Sequence, residues 1–224
     1  MTKKINIYLY VTISILAIIV FFAFVIPFGI ISENNKIRNS VHIVKITAEN
    51  DNFISQCGGV IISNGYILTV AHPFTKTNSS SYDDLLISAY DPNTDTTFYP
   101  KIIKLDEKVD LAILSDDKIY GSDIKIVDNS RCSDKSLSYI HYADISHSLK
   151  KCRITGLASD GKRSYVSINT EIKNGYSGYP VTNKSGLLIG IICSYDSMNK
   201  ITYAIPCFTL REFLKNLPSS YYTN

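Results

Sequence analysis

Residues Asn174 to Pro180 read NGYSGYP, which sets Ser177 between two glycines in a polar turn flanked by apolar runs. A serine hydroxyl is a poor nucleophile until a base takes its proton and backbone N–H groups receive the developing oxyanion. Gly175 and Gly178 permit such a turn, because glycine lacks the Cβ that blocks positive φ and close backbone approach. The N–H groups of Gly175 and Ser177 are then the candidate oxyanion donors. G-x-S-G also occurs in ordinary turns, so this one gains meaning only from partners elsewhere in the chain.

Those partners lie upstream. Val41 to Ile46 (VHIVKI) is β-branched and reads as a strand, and Gly58 to Ser63 (GGVIIS) reads as the next. Asn64-Gly65 is a two-residue hairpin signal. Tyr66 to Ala71 (YILTVA) returns and delivers His72, at a strand end and directly before Pro73, a position suited to a general base. Leu85 to Tyr90, Thr97 to Leu105 and Val109 to Leu114 (VDLAIL) follow as strands. Asp110 places a carboxylate beside an apolar run, a costly location for a charge without a hydrogen-bonded partner.

CGGVIISNGYILTVAH around His72, VDLAIL around Asp110 and NGYSGYP around Ser177 resemble the three active-site blocks of trypsin/chymotrypsin-fold serine proteases. The order His, Asp, Ser is that of this fold; an α/β-hydrolase needs its histidine after the nucleophile. No histidine follows His147, and Tyr179 occupies the last glycine position of a G-x-S-x-G elbow. ILTVAH, DLAIL and INTEIKNGYSG look closest to the HtrA-like branch, which lacks zymogen activation. The resemblance spans about Val41 to Leu217. It implies two six-stranded antiparallel β-barrels, all-β, with a C-terminal helix. It also implies a serine endopeptidase with Ser177 as nucleophile, His72 as base, Asp110 as its orienting partner, and Gly175 and Ser177 N–H as oxyanion hole. The substrate would be a polypeptide, and no cofactor is implied.

Departures from the family pattern are equally specific. Tyr176 stands where trypsin-like enzymes carry the aspartate that pairs with a new amino terminus, Tyr179 where a glycine is usual, and Cys193 where Ser or Thr often supports the triad aspartate. Tyr176 leaves no such activation switch, while Tyr179 and Cys193 favour an alternative, a catalytically weak or inactive pseudoprotease that binds peptides or acts as a scaffold at the membrane. By the trypsin-like pattern Glu171 stands near the base of the S1 pocket and favours Lys or Arg, with a solvent-facing strand glutamate as the competing reading. Tyr195 and Ile201 would wall that pocket and suggest a shallow one, which conflicts with the first suggestion.

Five cysteines leave one unpaired in any intramolecular scheme. Cys57 matches a family cysteine whose usual partner is replaced by Pro73. Cys132 and Cys152 are candidates for a bridge in the second barrel. Cys132, His141, His147 and Cys152 also make up a structural zinc set of the kind some viral chymotrypsin-fold proteases carry. Their spacing matches no standard finger, and no metal is expected. Asn78 and Asn183 fit the N-glycosylation pattern.

Further out, Leu137 to Tyr142, Arg153 to Leu157 and Ser164 to Ile168 read as strands before the serine turn, and Gly186 to Ser194 and Ile201 to Pro206 as strands after it. Cys207 to Leu217 spaces Phe208, Leu210, Phe213, Leu214 and Leu217 on one helical stripe. No PDZ domain of the HtrA kind is expected after Asn224. At the other end, no residue from Ile5 to Ser32 is charged, and the run exceeds the ~20 residues that cross a bilayer. It is longer than the apolar core of a signal peptide and offers no A-x-A site. Lys3, Lys4 and the amino group tip the orientation toward a cytoplasmic amino terminus. The expected organisation is therefore a transmembrane anchor over 1–32, a polar linker over 33–40, and a protease domain over 41–217. Within that domain the barrels cover about 41–115 and 136–206, followed by a helix at 207–217; a tail covers 218–224. The protease domain would lie outside the cytoplasm, with lipid as a partner of the anchor. A net charge of +3 without a basic block excludes a nucleic-acid signature, and the sequence sets no oligomeric state.

Overall fold

The computed structural model describes residues 12–51, 53–75, 85–121, 123–143 and 147–215. The chain divides into two units, up to Asn39 and from Ser40 onward. In the first, residues 12–20 are helical and continue through a π-helical turn, Phe21–Val25, into α1, Ile26–Asn39. The first eleven residues, which include part of the expected anchor, lie outside the described residues. Among the described residues no helix is long and apolar enough to cross a membrane. α1 runs through the expected linker over 33–40 as far as Asn39, where the first unit ends. ENNKIRN holds no glycine or proline to stop a helix, and Lys36 and Arg38 fall in the last turn, where cations complement the helix dipole.

Among the described residues the second unit carries thirteen strands in two lobes. The first lobe holds β1 (Ile43–Asn50), β2 (Phe53–Ser63), β3 (Tyr66–Thr69), β4 (Leu86–Asp91), β5 (Thr96–Phe98), β6 (Lys101–Asp106) and β7 (Leu111–Ser115). They form one seven-stranded sheet in the order β5-β4-β1-β2-β3-β7-β6. This corrects the expectation of a closed first barrel. Thr97 to Leu105 reads as a single strand in the sequence, yet Tyr99-Pro100 divides it into β5, paired to β4, and β6, paired to β7. Proline has no N–H to give a ladder, and the Tyr99 N–H is taken by Asp116 Oδ2 at 3.1 Å. The two sheet edges are thus joined by chain and not by hydrogen bonds.

The second lobe closes. β8 (Leu137–Ala143), β9 (His147–Ser159), β10 (Ser164–Asn169), β11 (Pro180–Asn183), β12 (Leu188–Asp196) and β13 (Ile201–Pro206) form a barrel in the order β10-β13-β12-β11-β8-β9. α2 is the single turn His72–Thr75, and α3 is Cys207–Leu214. α3 buries Cys207, Leu210, Phe213 and Leu214; Leu217 lies outside the described residues. Arg211 fastens it to the crossing between lobes by donating to the Ile126 and Val127 carbonyls, at 2.7 and 3.1 Å. Lys104 of β6 donates to the Phe213 carbonyl and caps its ring, so α3 also ties the first lobe to the second.

One core runs through both lobes, built from β-branched residues such as Ile43, Ile46, Val60, Ile67, Ile113, Val166, Val181 and Ile191. β2 shows how a strand changes environment along its length. Residues Phe53 to Gln56 are half-buried or exposed, whereas Cys57 to Ser63 are all buried. The buried half lies where the second lobe meets the first, and it carries the contact with the serine turn.

Candidate active site

β3 ends at Thr69, and two residues later α2 begins with His72, followed by Pro73. Proline in the first turn of a helix loses no intrahelical bond, and its φ is preset. Asp110 arrives from the β6–β7 turn with φ +59°, a left-handed backbone that costs a non-glycine residue about 1–3 kcal/mol. Its contacts hold it there. Asp110 Oδ1 accepts from the Ala71 N–H at 3.1 Å and the His72 N–H at 2.9 Å, and the Asp110 carbonyl also receives the Ala71 N–H at 3.2 Å. The side chain is 11% exposed. Its burial is therefore compensated by the backbone of the histidine turn, the support a charge in an apolar setting requires.

The same carboxylate grips the ring. His72 Nδ1 lies 3.2 Å from Asp110 Oδ1 and 3.0 Å from Oδ2. An ionised carboxylate only accepts, so Nδ1 carries the proton and Nε2 of the neutral ring keeps its lone pair. That is the tautomer a general base needs.

The serine turn is fixed on two sides. The Gly58 N–H of β2 donates to the Ser177 carbonyl at 2.7 Å; the Gly178 N–H donates to Ile192 O at 2.7 Å, and Ile192 N–H returns a bond to Tyr179 O at 3.0 Å. Gly178 has φ +89°, and a Cβ there would overlap the Gly58 carbonyl and the Thr69 hydroxyl. Only glycine meets both demands. Gly175 has φ +87°. Neither the Gly175 nor the Ser177 N–H has a hydrogen-bond partner among the described residues, so both remain available to an incoming oxyanion.

The hydroxyl itself is turned elsewhere. Ser177 Oγ donates to the Cys193 carbonyl at 3.3 Å, and among the described residues no hydrogen bond joins it to His72. Cys193 is the bulged residue where the β12–β13 register shifts, and the bulge exposes its carbonyl to the serine. Its thiol donates to Tyr203 O at 3.4 Å, and burial pushes it up to about 12. The support for Asp110 comes from the Ala71 and His72 N–H groups rather than from Cys193.

Tyr179 is accommodated without disturbing the turn. Its ring is 2% exposed and lies over Gly58, where a Cβ would collide with it. Its hydroxyl donates to Ala143 O of β8 at 3.2 Å. Tyr176 stacks on Tyr142 with ring centroids 4.8 Å apart at 28°, and meets Tyr179 edge to face at 6.1 Å and 82°. Sequence reading singled out Tyr176 and Tyr179 as departures but not Gly58 or Tyr142, which no local signal marks. It also missed Arg163, whose Nη2 donates to Glu107 O of the first lobe at 2.8 Å. Arg163 lines a cavity of about 230 Å³ with Ala71, His72, Thr75, Glu107 and Asp110.

Of the other expected site residues, Glu171, Tyr195 and Ile201 lie near one another around the β12–β13 hairpin, while the candidate zinc ligands separate. Glu171 is 57% exposed and pairs with Lys200 at 2.9 Å, an ion pair at the surface and not a pocket floor. That hydrogen bond and the Lys200 charge hold its carboxyl below the usual range. Tyr195 and Ile201 are half-buried near the end of the β12–β13 hairpin, opposite Thr202 and Asp196 respectively. Of the four candidate zinc ligands only the histidines meet, His141 Nδ1 with His147 Nε2 at 2.9 Å, while His141 Nε2 contacts Thr182 Oγ1 at 2.7 Å. Cys152 pairs with Ser138, off the register of both histidines, and Cys132 accepts the Cys207 N–H at 3.0 Å. Among the described residues no group of three or more His, Cys, Asp or Glu could hold a metal. A Cys132–Cys152 bridge is corrected for the same reason: Cys132 faces Cys207, and all five cysteines are reduced. Cys57 lies 3.6 Å from Thr69 Oγ1, and burial pushes its thiol up to about 12. Asn183 closes β11, its Oδ1 accepting from Ser185 and Leu187 N–H; Asn78 lies outside the described residues.

No family model and no curated sequence matches the chain. Solved structures do. The active form of the Rv3671c protease from M. tuberculosis superposes with a TM-score of 0.66 at 16% identity, covering 81% of this chain and 84% of that one. The inactive form of the same protease gives 0.64 at 17%, covering 81% and 90%. At such identity the likeness establishes the fold alone: this chain shares the two-lobed β architecture of that protease.

Proposed function

We propose that the chain is a serine endopeptidase of the chymotrypsin type, HtrA-like in lacking an activation switch, and held at a membrane by its amino-terminal helix. The observation that carries this reading is the His72 Nδ1–Asp110 contact at 3.0 Å, together with a serine turn that has two uncommitted N–H donors and is bonded to the same lobe through Gly58. In this reading the Ser177 hydroxyl gives up its long bond to Cys193 O, worth ~1 kcal/mol, and takes one to His72 Nε2. Oγ then attacks the peptide carbonyl carbon and its proton passes to Nε2, while the oxyanion takes the Gly175 and Ser177 N–H groups. The C–N bond breaks as Nε2 returns the proton to the leaving nitrogen. Water repeats the sequence on the ester and restores the serine.

The membrane reading rests on the uncharged run from Ile5 to Ser32 and on Ile13, Leu16, Ile18, Ile19, Phe21 and Phe22, all of which are exposed. With a cytoplasmic amino terminus the lobes face outward; protease shaving of intact cells should then remove them, and their full protection would reverse the orientation. Activity is tested by fluorophosphonate labelling of the full chain in detergent. Labelling of wild type that is lost in Ser177→Ala and His72→Ala supports the protease. A folded but unlabelled wild type favours the second reading, a peptide-binding pseudoprotease, which the serine hydroxyl's engagement with Cys193 O supports.

A further inference from the structure

The serine turn has two differently built halves. Its Ser177–Gly178 side is bonded to β2 and β12 through backbone. Its Gly175–Tyr176 side lies outside every ladder, and Gly175 is in the left-handed region, where glycine moves readily. The half that must hold the Gly175 N–H in place is thus the half without ladder support. Besides two long turn bonds, Tyr176 N–H to Lys173 O and Tyr179 N–H to Tyr176 O at 3.3 Å each, what reaches it is aromatic. Tyr176 lies flat on Tyr142, the Tyr179 ring closes edge to face on Tyr176, and the Tyr179 hydroxyl is anchored on Ala143 O. Tyr142 and Ala143 are consecutive residues at the end of β8, so one strand end grips the turn from both sides of Ser177. Gly58 completes the arrangement, since any Cβ there would displace the Tyr179 ring.

We propose that Tyr142, Tyr176 and Tyr179 form an aromatic clamp that positions the oxyanion-binding backbone at Gly175 and Ser177, the task for which trypsin-like enzymes use a charge pair at the residue before the serine. The proposal rests on the protease reading above. The three tyrosines are positioning residues: they act through the turn and not on substrate. The stack needs the faces of Tyr142 and Tyr176 but not their hydroxyls, whereas Tyr179 needs both its ring and its hydroxyl. Offset-stacked rings are worth ~0.5–1.5 kcal/mol beyond their buried area, and misplacing a single oxyanion donor costs about 10²–10³ in kcat. The clamp therefore has more leverage on rate than on stability.

The test uses the full chain in detergent and an activated ester substrate, reading kcat and KM separately, with thermal melting as a control. Tyr142→Ala and Tyr176→Ala should lower kcat about 10–100-fold with KM within about threefold, because the donors act in the transition state. Tyr142→Phe and Tyr176→Phe should restore kcat to within about threefold of wild type, and Tyr179→Phe should lower it by about three- to tenfold through loss of the Ala143 bond. Alanine variants with unchanged kcat, or phenylalanine variants that fold but do not rescue, overturn the clamp. Should an alanine variant fail to fold, Tyr142→Leu, which keeps bulk without a π face, takes its place with the same expectation. Amide hydrogen exchange at residues 174–178 is independent of activity: it should accelerate at least tenfold in Tyr142→Ala, with β12 unchanged. Unchanged exchange overturns the clamp even if wild type hydrolyses the ester, whereas a silent wild type with accelerated exchange in the variant counts against the protease and leaves the clamp standing.

Discussion

The two lobes hold their halves of the site by different means. In the first, whose sheet stays open at Tyr99-Pro100, the His72–Asp110 pair is wired by backbone: two N–H groups on the carboxylate and a third bond on the Asp110 carbonyl. In the second, whose barrel is closed, the serine sits on an irregular turn between β10 and β11 that leans on the Tyr142 ring of β8. Closure does not by itself make a functional group rigid. The open sheet carries the over-determined residue, and the closed barrel carries the one that must be clamped. Backbone wiring is tolerant of side-chain changes nearby, while a ring-on-glycine contact fails with one methyl group.

The largest expected effect breaks the wired half. Asp110→Asn keeps the shape but presents an amide to Nδ1, which can stabilise the wrong tautomer; kcat should fall by about 10³–10⁴ with little change in KM. Steady-state ester hydrolysis checks this, and a loss below about tenfold would mean that backbone bonds alone orient His72. Next comes the join between lobes. Gly58→Ala drives a Cβ into the Tyr179 ring, and should cost about 1–3 kcal/mol in urea unfolding. Combined with Tyr179→Ala the penalty should shrink, since the obstructing ring is gone; additivity of the two would refute the contact.

A third test separates the lobes by pH. Burial, with the neighbouring His147 as a smaller cause, drives His141 in the second lobe down to about 3. A histidine depressed when folded is protonated more readily when unfolded. Its contribution is therefore complete above the unfolded value of about 6.5 and is lost progressively as pH falls from there toward about 3. The loss is on the order of a few kcal/mol at the acid end. Urea midpoints between pH 7 and pH 4 should decline less steeply in His141→Gln than in wild type. The smallest effect is expected at the surface: Glu171→Gln should leave melting and the preference for basic over small residues before the cut unchanged, because the carboxylate is exposed and paired with Lys200. A lost preference for basic residues would return Glu171 to the substrate pocket.

How much of this could be read from residues alone varies by element. His72 and Asp110 stand out in the sequence because each borders an apolar strand, and Ser177 because two glycines flank it in a turn; the chain order points to the fold. Asn64-Gly65 turns as its composition demands, with Gly65 at φ +82°. Pro180–Asn183 escapes notice as a strand because four residues carry too little periodicity. The length of β9, thirteen residues from His147, is hidden by Lys150 and Lys151, which are tolerated because Lys151 faces solvent and Lys150 Nζ donates to the Glu171 carbonyl. Cys132 and Cys152 look like a pair only because both lie in the second half of the chain.

Composition and order along the chain determine the elements, the uncharged amino-terminal run, the glycines that a tight turn requires, and the three residue types of the site. These are local matters, governed by backbone sterics and by which residues alternate toward a core. Tertiary structure alone decides which partners meet: Cys132 with Cys207, His141 with His147, Tyr179 with the missing Cβ of Gly58, and the Ser177 hydroxyl with Cys193 O rather than His72. Each of these depends on how a barrel closes and where a bulge turns a carbonyl. That geometry emerges only when distant strands are in register, and no single stretch of chain contains it.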